Sequence, residues 1–219
     1  MKFYLSSFNL GDKADELVRL ISDIKKNELV TLLSKKKKIA YIPNACDYTN
    51  TDLDRKHKKD TEDMNSLQAL GLEVEYLDLK NYFYKTDELR KKLSEFNGVF
   101  VRGGNTFILR QAMRLSWFDT IFEELKKRDD FVYSGYSAGI CVLAPNFKAL
   151  QTVDDPTDKP YKELQETIWE WLGYLDHIIL PHYQSDHPES EDINKEVEYC
   201  EKNNIPFKTL KDGEVIIIE

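Results

Sequence analysis

Cysteine is scarce: Cys46, Cys141 and Cys200 are the only three in 219 residues, and none falls in a CxxC pair. So few and so scattered, they form no disulfide framework and no zinc-type cysteine spacing, and they point to a reducing, cytoplasmic compartment. Long apolar runs are missing too. None approaches the roughly 20 residues that span a bilayer. The opening Met1–Leu5 turns polar at Ser6, too early for a signal-peptide core. Positive charge is short: 31 Lys and Arg stand against 39 Asp and Glu, a net charge of −8. That balance argues against a general nucleic-acid binder or a binder of anionic membranes. There is no internal repeat, low-complexity tract or linker, so 1–219 reads as a single domain, long enough to bury a core without metals or disulfides.

What is present is an alternation of short apolar runs with helical patterns, the mark of a mostly parallel α/β sheet. Strands are expected at Lys2–Ser6, Lys38–Ile42, Val74–Leu77, Gly98–Val101, Phe131–Ser134 and His177–Leu180. Between them, Leu17, Leu20, Ile21 and Ile24 recur at helical spacing. Asp52–Leu70 reads as a long exposed helix capped by Gly71. Thr106–Leu115, Trp117–Lys127, a short segment from Ala138 to Pro145, Tyr161–Leu172 and Ile193–Asn203 complete the helices. Asn146–Pro160 reads as a loop, and Phe207–Leu210 with Val215–Ile218 as a closing hairpin around Asp212-Gly213. The basic run Lys35–Lys38 reads as a solvated lead-in to a strand.

The sharpest chemical signal is Gly135-Tyr136-Ser137-Ala138-Gly139 between a strand and a helix, the GxSxG pattern of a nucleophile elbow. Small residues on both sides of the serine permit the sharp turn that lifts its Oγ above the sheet edge. A serine that only caps the helix is the plainer alternative. A second loop, Arg102-Gly103-Gly104-Asn105-Thr106, also joins a strand to a helix. It offers backbone N–H groups to a ligand, or it is a tight turn capped by Asn105; neither a P-loop nor a GxGxxG is present. Of four histidines, His182 follows Pro181 at the carboxyl end of a strand, where α/β sheets gather their sites. That makes it the candidate base. His57 reads as solvated, His177 as a core histidine, and His187 lies in the loop beyond. The acid that should orient His182 is left open between Asp154 and Asp155, with Gln184 and Glu189 also near the histidines.

In order and approximate spacing, Gly103-Gly104-Asn105-Thr106-Phe107, Gly135-Tyr136-Ser137-Ala138-Gly139, Pro145, Asp154-Asp155-Pro156 and Pro181-His182-Tyr183 resemble the peptidase E family of aspartyl dipeptidases. The resemblance implies an α/β/α sandwich similar to class I glutamine amidotransferases, with a flavodoxin-like core. It implies Ser137 as nucleophile, His182 as general base and Asp154 as the acid. Backbone N–H groups of Gly104 and Ala138 would form the oxyanion hole. It further implies hydrolysis of small peptides with an N-terminal aspartate, with no metal or other cofactor, by a monomer or homodimer.

The amidotransferases carry a cysteine and a glutamate where this chain has Ser137 and Gln184, which argues against amidotransfer. The family's dipeptidases hold the acidic side chain with an arginine downstream of the histidine, and no arginine follows Arg128 here. Arg102 is the candidate substitute, a planar guanidinium being suited to a carboxylate; Asn105 is a second candidate for substrate binding. The acidic loop Asp186–Glu189 is the candidate for the substrate's ammonium. An esterase on the same triad, or a binding protein whose site has decayed, are the rival readings.

Overall fold

The computed structural model describes residues 1–22, 37–146 and 148–219; Ile24 and the first two lysines of Lys35–Lys38 lie outside them. The central sheet has six strands in the order β3-β2-β4-β5-β1-β8. These are β1 (Lys2–Ser6), β2 (Lys38–Ile42), β3 (Glu73–Tyr76), β4 (Gly98–Val101), β5 (Val132–Tyr136) and β8 (Val215–Ile218). All pairs are parallel except β1 with β8. The helices are α1 (Ala14–Ser22), α2 (Leu53–Ala69), α3 (Thr86–Leu93), α4 (Thr106–Leu115), α5 (Phe118–Leu125), α6 (Ala138–Cys141) and α7 (Ser190–Lys202). Helix α3 has no counterpart among the helices expected from the sequence.

Alternation along the strands builds two cores, one per face. Phe3, Leu5, Ala40, Ile42, Val99, Val101 and Tyr133 meet the apolar faces of α3 to α7. Tyr4, Ile39, Tyr41, Phe100 and Val132 meet α1 and the end of α2. The result is the expected three-layer α/β/α sandwich. Helix α2 has no apolar stripe. Its buried face is Lys56, Asp60, Asp63 and Leu67, and charge pairing replaces hydrophobic contact there. Asp60 takes Lys56 Nζ at 3.0 Å and Arg102 Nη1 at 2.5 Å, while Asp63 takes the hydroxyls of Tyr41 and Tyr136 at 2.9 and 2.8 Å. Buried polar atoms are tolerated when bonded in this way.

Two expectations fail. Phe207–Leu210 and Val215–Ile218 are not a hairpin. A turn does form, Glu214 N–H donating to Lys211 O at 2.9 Å. Its arms diverge, however. Strand β7 (Phe207–Thr209) pairs parallel with β6 (Ile178–Leu180) in a separate two-stranded annex, and β8 joins β1. Nor is Tyr161–Leu172 a helix. Its end bonds to the chain after α6: Leu172 N–H donates to Val142 O, and Asn146 bridges Glu170. Tyr161 and Trp171 are core side chains without a helix, Tyr161 donating to Asp47 at 2.8 Å.

Candidate active site

Carboxyl ends of parallel strands converge on one cleft, as expected for an open α/β sheet whose strand order reverses between β2 and β4. The cleft holds about 470 Å³ and brings Gly103, Gly104, Ser137, His182, His187 and Glu189 to a common surface.

The elbow is built by close approach. Ser137 follows β5 and precedes α6 with φ 48° and ψ −120°, a strained conformation for a residue with a Cβ, of the kind concentrated at functional sites. A side chain on Gly139 would bring its Cβ within 2.2 Å of Val101 O, so only glycine lets α6 start against β4. Ser137 makes no side-chain capping bond to α6. That removes the plain helix-cap alternative and leaves the hydroxyl to the cleft. Tyr136, held by Asp63, anchors the turn from the other face.

The glycine loop serves the same cleft. Gly104 has φ +146°, and a Cβ there would lie 2.5 Å from Ala45 O. Among the described residues, neither Gly104 N–H nor Ala138 N–H has a backbone acceptor. Asn105 is not free for a ligand. Its Oδ1 accepts Ile108 N–H as the cap of α4, and its Nδ2 donates to Asp155 O. Asn105, expected at the substrate, is thus tied into the loop, beside the residues that line the cleft. Arg102 is buried rather than on the surface, lines the cleft, and is pinned by Asp60 and the Lys56 carbonyl.

His182 follows β6 with φ 60° and is 1% exposed. Its Nδ1 lies 2.7 Å from Asp212 Oδ1, so the carboxylate fixes the ring and leaves Nε2 for the cleft. Burial, and then His187, hold its pKa below the usual 6.5, against the upward pull of Asp212. A neutral imidazole at neutral pH is thereby favoured, the form a general base needs. The His187 ring stacks on it at 3.7 Å, and Glu189 Oε2 lies 3.9 Å from Nε2. His177, read as a core residue, is instead partly exposed and paired with Asp176.

Asp154 is elsewhere engaged. Its Oδ2 accepts both Thr106 N–H at 2.8 Å and Thr106 Oγ1–H at 2.5 Å, and burial lifts its carboxyl to about 6. Asp155 is turned to Thr157. The carboxylate on His182 Nδ1 is Asp212, whose sequence setting, Asp-Gly between two apolar runs, signals only a turn. Ser7 was missed as well. Its carbonyl accepts Ser137 N–H at 3.2 Å, and its hydroxyl accepts His182 N–H at 2.9 Å and donates to Asp212 Oδ1 at 3.0 Å. The one signal for Ser7 was a polar residue directly after the first buried strand. Cys46 also lines the cleft, but burial raises its thiol to about 11, which keeps it protonated.

The sequence pattern of peptidase family S51 matches residues 19–219. An uncharacterised peptidase of Listeria monocytogenes, Lmo0363, is 34% identical over 142 residues, covering 64% of this chain and 65% of that protein. Peptidase E of Streptomyces coelicolor is 31% identical over 135 residues, 58% of this chain and 51% of that one. The aligned stretch thus spans under two thirds of these relatives. Over the whole fold, the crystal structure of a candidate peptidase E from Listeria monocytogenes EGD-e superposes with a TM-score of 0.71 at 27% identity, covering 99% of this chain and 93% of that one. No helix among the described residues is long and apolar enough to cross a membrane. Site loops, sheet and sequence agree, and the chain belongs to peptidase family S51.

Proposed function

We propose that the chain is a cytoplasmic serine peptidase of small peptides, working through Ser137, His182 and Asp212. The observation that carries this reading is the 2.7 Å contact of Asp212 with His182 Nδ1 in the cleft that Ser137 enters from a strained elbow. His182 Nε2 takes the proton of Ser137 as Oγ attacks the scissile carbonyl. The oxyanion accepts from the Gly104 and Ala138 N–H groups, each such donor contributing roughly a hundredfold or more to turnover. His182 then passes the proton to the leaving amine, and water repeats the cycle on the acyl-enzyme.

Charge in the cleft supports an acidic substrate, with Asp-X dipeptides as the finer reading. Although the chain is acidic overall, Arg55, Lys58, Lys59 and Arg102 line this cleft against Glu62 and Glu189. Lys59 and Arg102 are held by Asp63 and Asp60. Arg55 and Lys58 are exposed and remain for a substrate carboxylate, and Glu189 for its ammonium. The test is a panel of Asp-X, Glu-X and neutral dipeptides with wild type and Ser137→Ala. Asp-X cleavage that falls by about 10⁴-fold or more in the variant is expected. Cleavage of neutral dipeptides alone rejects the acidic specificity, and cleavage that survives the substitution rejects the nucleophile.

A further inference from the structure

We infer that His182, His187 and Glu189 form a binding site for a divalent transition-metal ion of the zinc type, and that the ion silences the enzyme by taking the lone pair of its base. One ligand atom from each of the three residues lies within 4.8 Å of the others. Two imidazoles and a carboxylate are a donor set suited to Zn²⁺ and its neighbours, and poorly suited to Mg²⁺ or Ca²⁺. They leave a fourth position open.

The His182 side of the site is already arranged as metal sites arrange it. A ligating histidine usually gives its other ring nitrogen to a carboxylate, which fixes the tautomer and raises the basicity of the ligating nitrogen. Asp212 is in that place, 2.7 Å from Nδ1. Glu189 Oε2 at 3.9 Å from His182 Nε2 is only slightly too far; donors sharing a zinc ion at about 2 Å stand roughly 3–3.5 Å apart. His187 has the larger adjustment to make. Its ring lies face to face with His182, 8° from parallel, and must turn edge-on to share an ion. It is half-buried, and its hydrogen bond to the chain is a long 3.3 Å acceptance of Glu189 N–H at Nδ1. Both of these ligands lie in the one short segment between His182 and α7, so a rotation of the two side chains is what closing the site requires.

The consequence for activity rests on the proposed mechanism, in which Nε2 accepts the serine proton. A lone pair cannot hold a metal ion and take that proton together, so binding and turnover exclude each other. The site itself stands independently of that mechanism, and the experiment separates the two.

Full-length, tag-free Ser137→Ala protein is titrated with Co²⁺ and followed by its visible ligand-field absorption, then with Zn²⁺ to displace it. One equivalent is expected to give the intense band of a four- or five-coordinate ion. Affinity should fall tenfold or more in Ser137→Ala/His187→Ala and in Ser137→Ala/Glu189→Gln, with circular dichroism confirming that both fold. Absence of the band, or equal affinity in the His187 variant, overturns the site. In wild type, Zn²⁺ should abolish dipeptide cleavage over the same concentration range, with recovery on chelation. Undiminished cleavage at saturating Zn²⁺ overturns the inhibition. A protein that binds Co²⁺ but cleaves nothing even before metal is added keeps the site and discards the peptidase reading.

Discussion

The two halves of the cleft are made in different ways. The nucleophile half is local: Ser137, its flanking glycines and the Ala138 N–H fall within five consecutive residues on β5 and α6, clamped against the Val101 carbonyl. The base half is assembled. His182 and Asp212 are 30 residues apart and meet because β6 and β7 pair in the annex, with Leu210 N–H donating to Leu180 O and Tyr183 N–H to Leu210 O. A catalytic group can thus be encoded in a string or in a packing arrangement, and only the first kind is readable without the fold.

The sharpest way to break that contrast is to set the two aspartates against each other. Asp212→Asn should lower kcat by about 10⁴-fold, because an amide on Nδ1 no longer enforces the tautomer that leaves Nε2 basic. Asp154→Asn keeps an oxygen for the Thr106 donors and should leave kcat within about threefold. Steady-state kinetics on the best dipeptide decide it. If Asp154→Asn is the damaging change and Asp212→Asn the mild one, the assembled half has been assigned to the wrong carboxylate.

How much the sequence disclosed follows the same division. The sandwich, its parallel strands and the two glycine loops were legible because alternation, helical spacing and GxSxG are short-range signals. Asp212 was not, because Asp-Gly between two apolar runs is also the ordinary hairpin signature. Here the turn forms while its arms join different sheets. Asp154 stands away from His182 for the complementary reason: the resemblance gives it a position along the chain, whereas its partner Thr106 is fixed by the start of α4. Tyr161–Leu172 reads as a helix from local sequence alone, but the backbone at its end is satisfied by the chain after α6.

Ser7 joins the halves, and its removal should tell them apart. Ser7→Ala keeps the carbonyl that receives Ser137 N–H but leaves the buried His182 N–H without its acceptor, a cost of about 1–3 kcal/mol. The elbow should stay intact while His182 and Asp212 lose their alignment, so kcat should fall tenfold or more at nearly constant KM. A kcat within twofold of wild type would show that the β6–β7 pairing alone holds the base.

The smallest expected effect concerns stability rather than rate, and it isolates the annex. Glu196 on α7, 1% exposed, accepts Thr152 Oγ1–H at 2.8 Å, and burial raises its carboxyl from 4.5 to about 8. In the unfolded chain the proton leaves near 4.5. Between these values the folded state binds more protons, so stability is full below about pH 4.5 and is lost as pH rises towards 8. Asp154, raised from 3.8 to about 6, acts in the same direction. Glu196→Gln keeps an acceptor for Thr152 without an acidic proton. Its melting temperature at pH 8 should exceed that of wild type by several degrees, at roughly 2–4 °C per kcal/mol for a chain of this size, and its stability should vary less with pH. Amide exchange gives the finer reading. At pH 8 the gain in protection should appear on α7, β6 and β7 and not on β5, because Glu196 sits on α7, which packs on β6 and β7. Equal gains on β5 would mean that the two halves unfold as one unit, and that their difference lies in how they are encoded and not in how they are held.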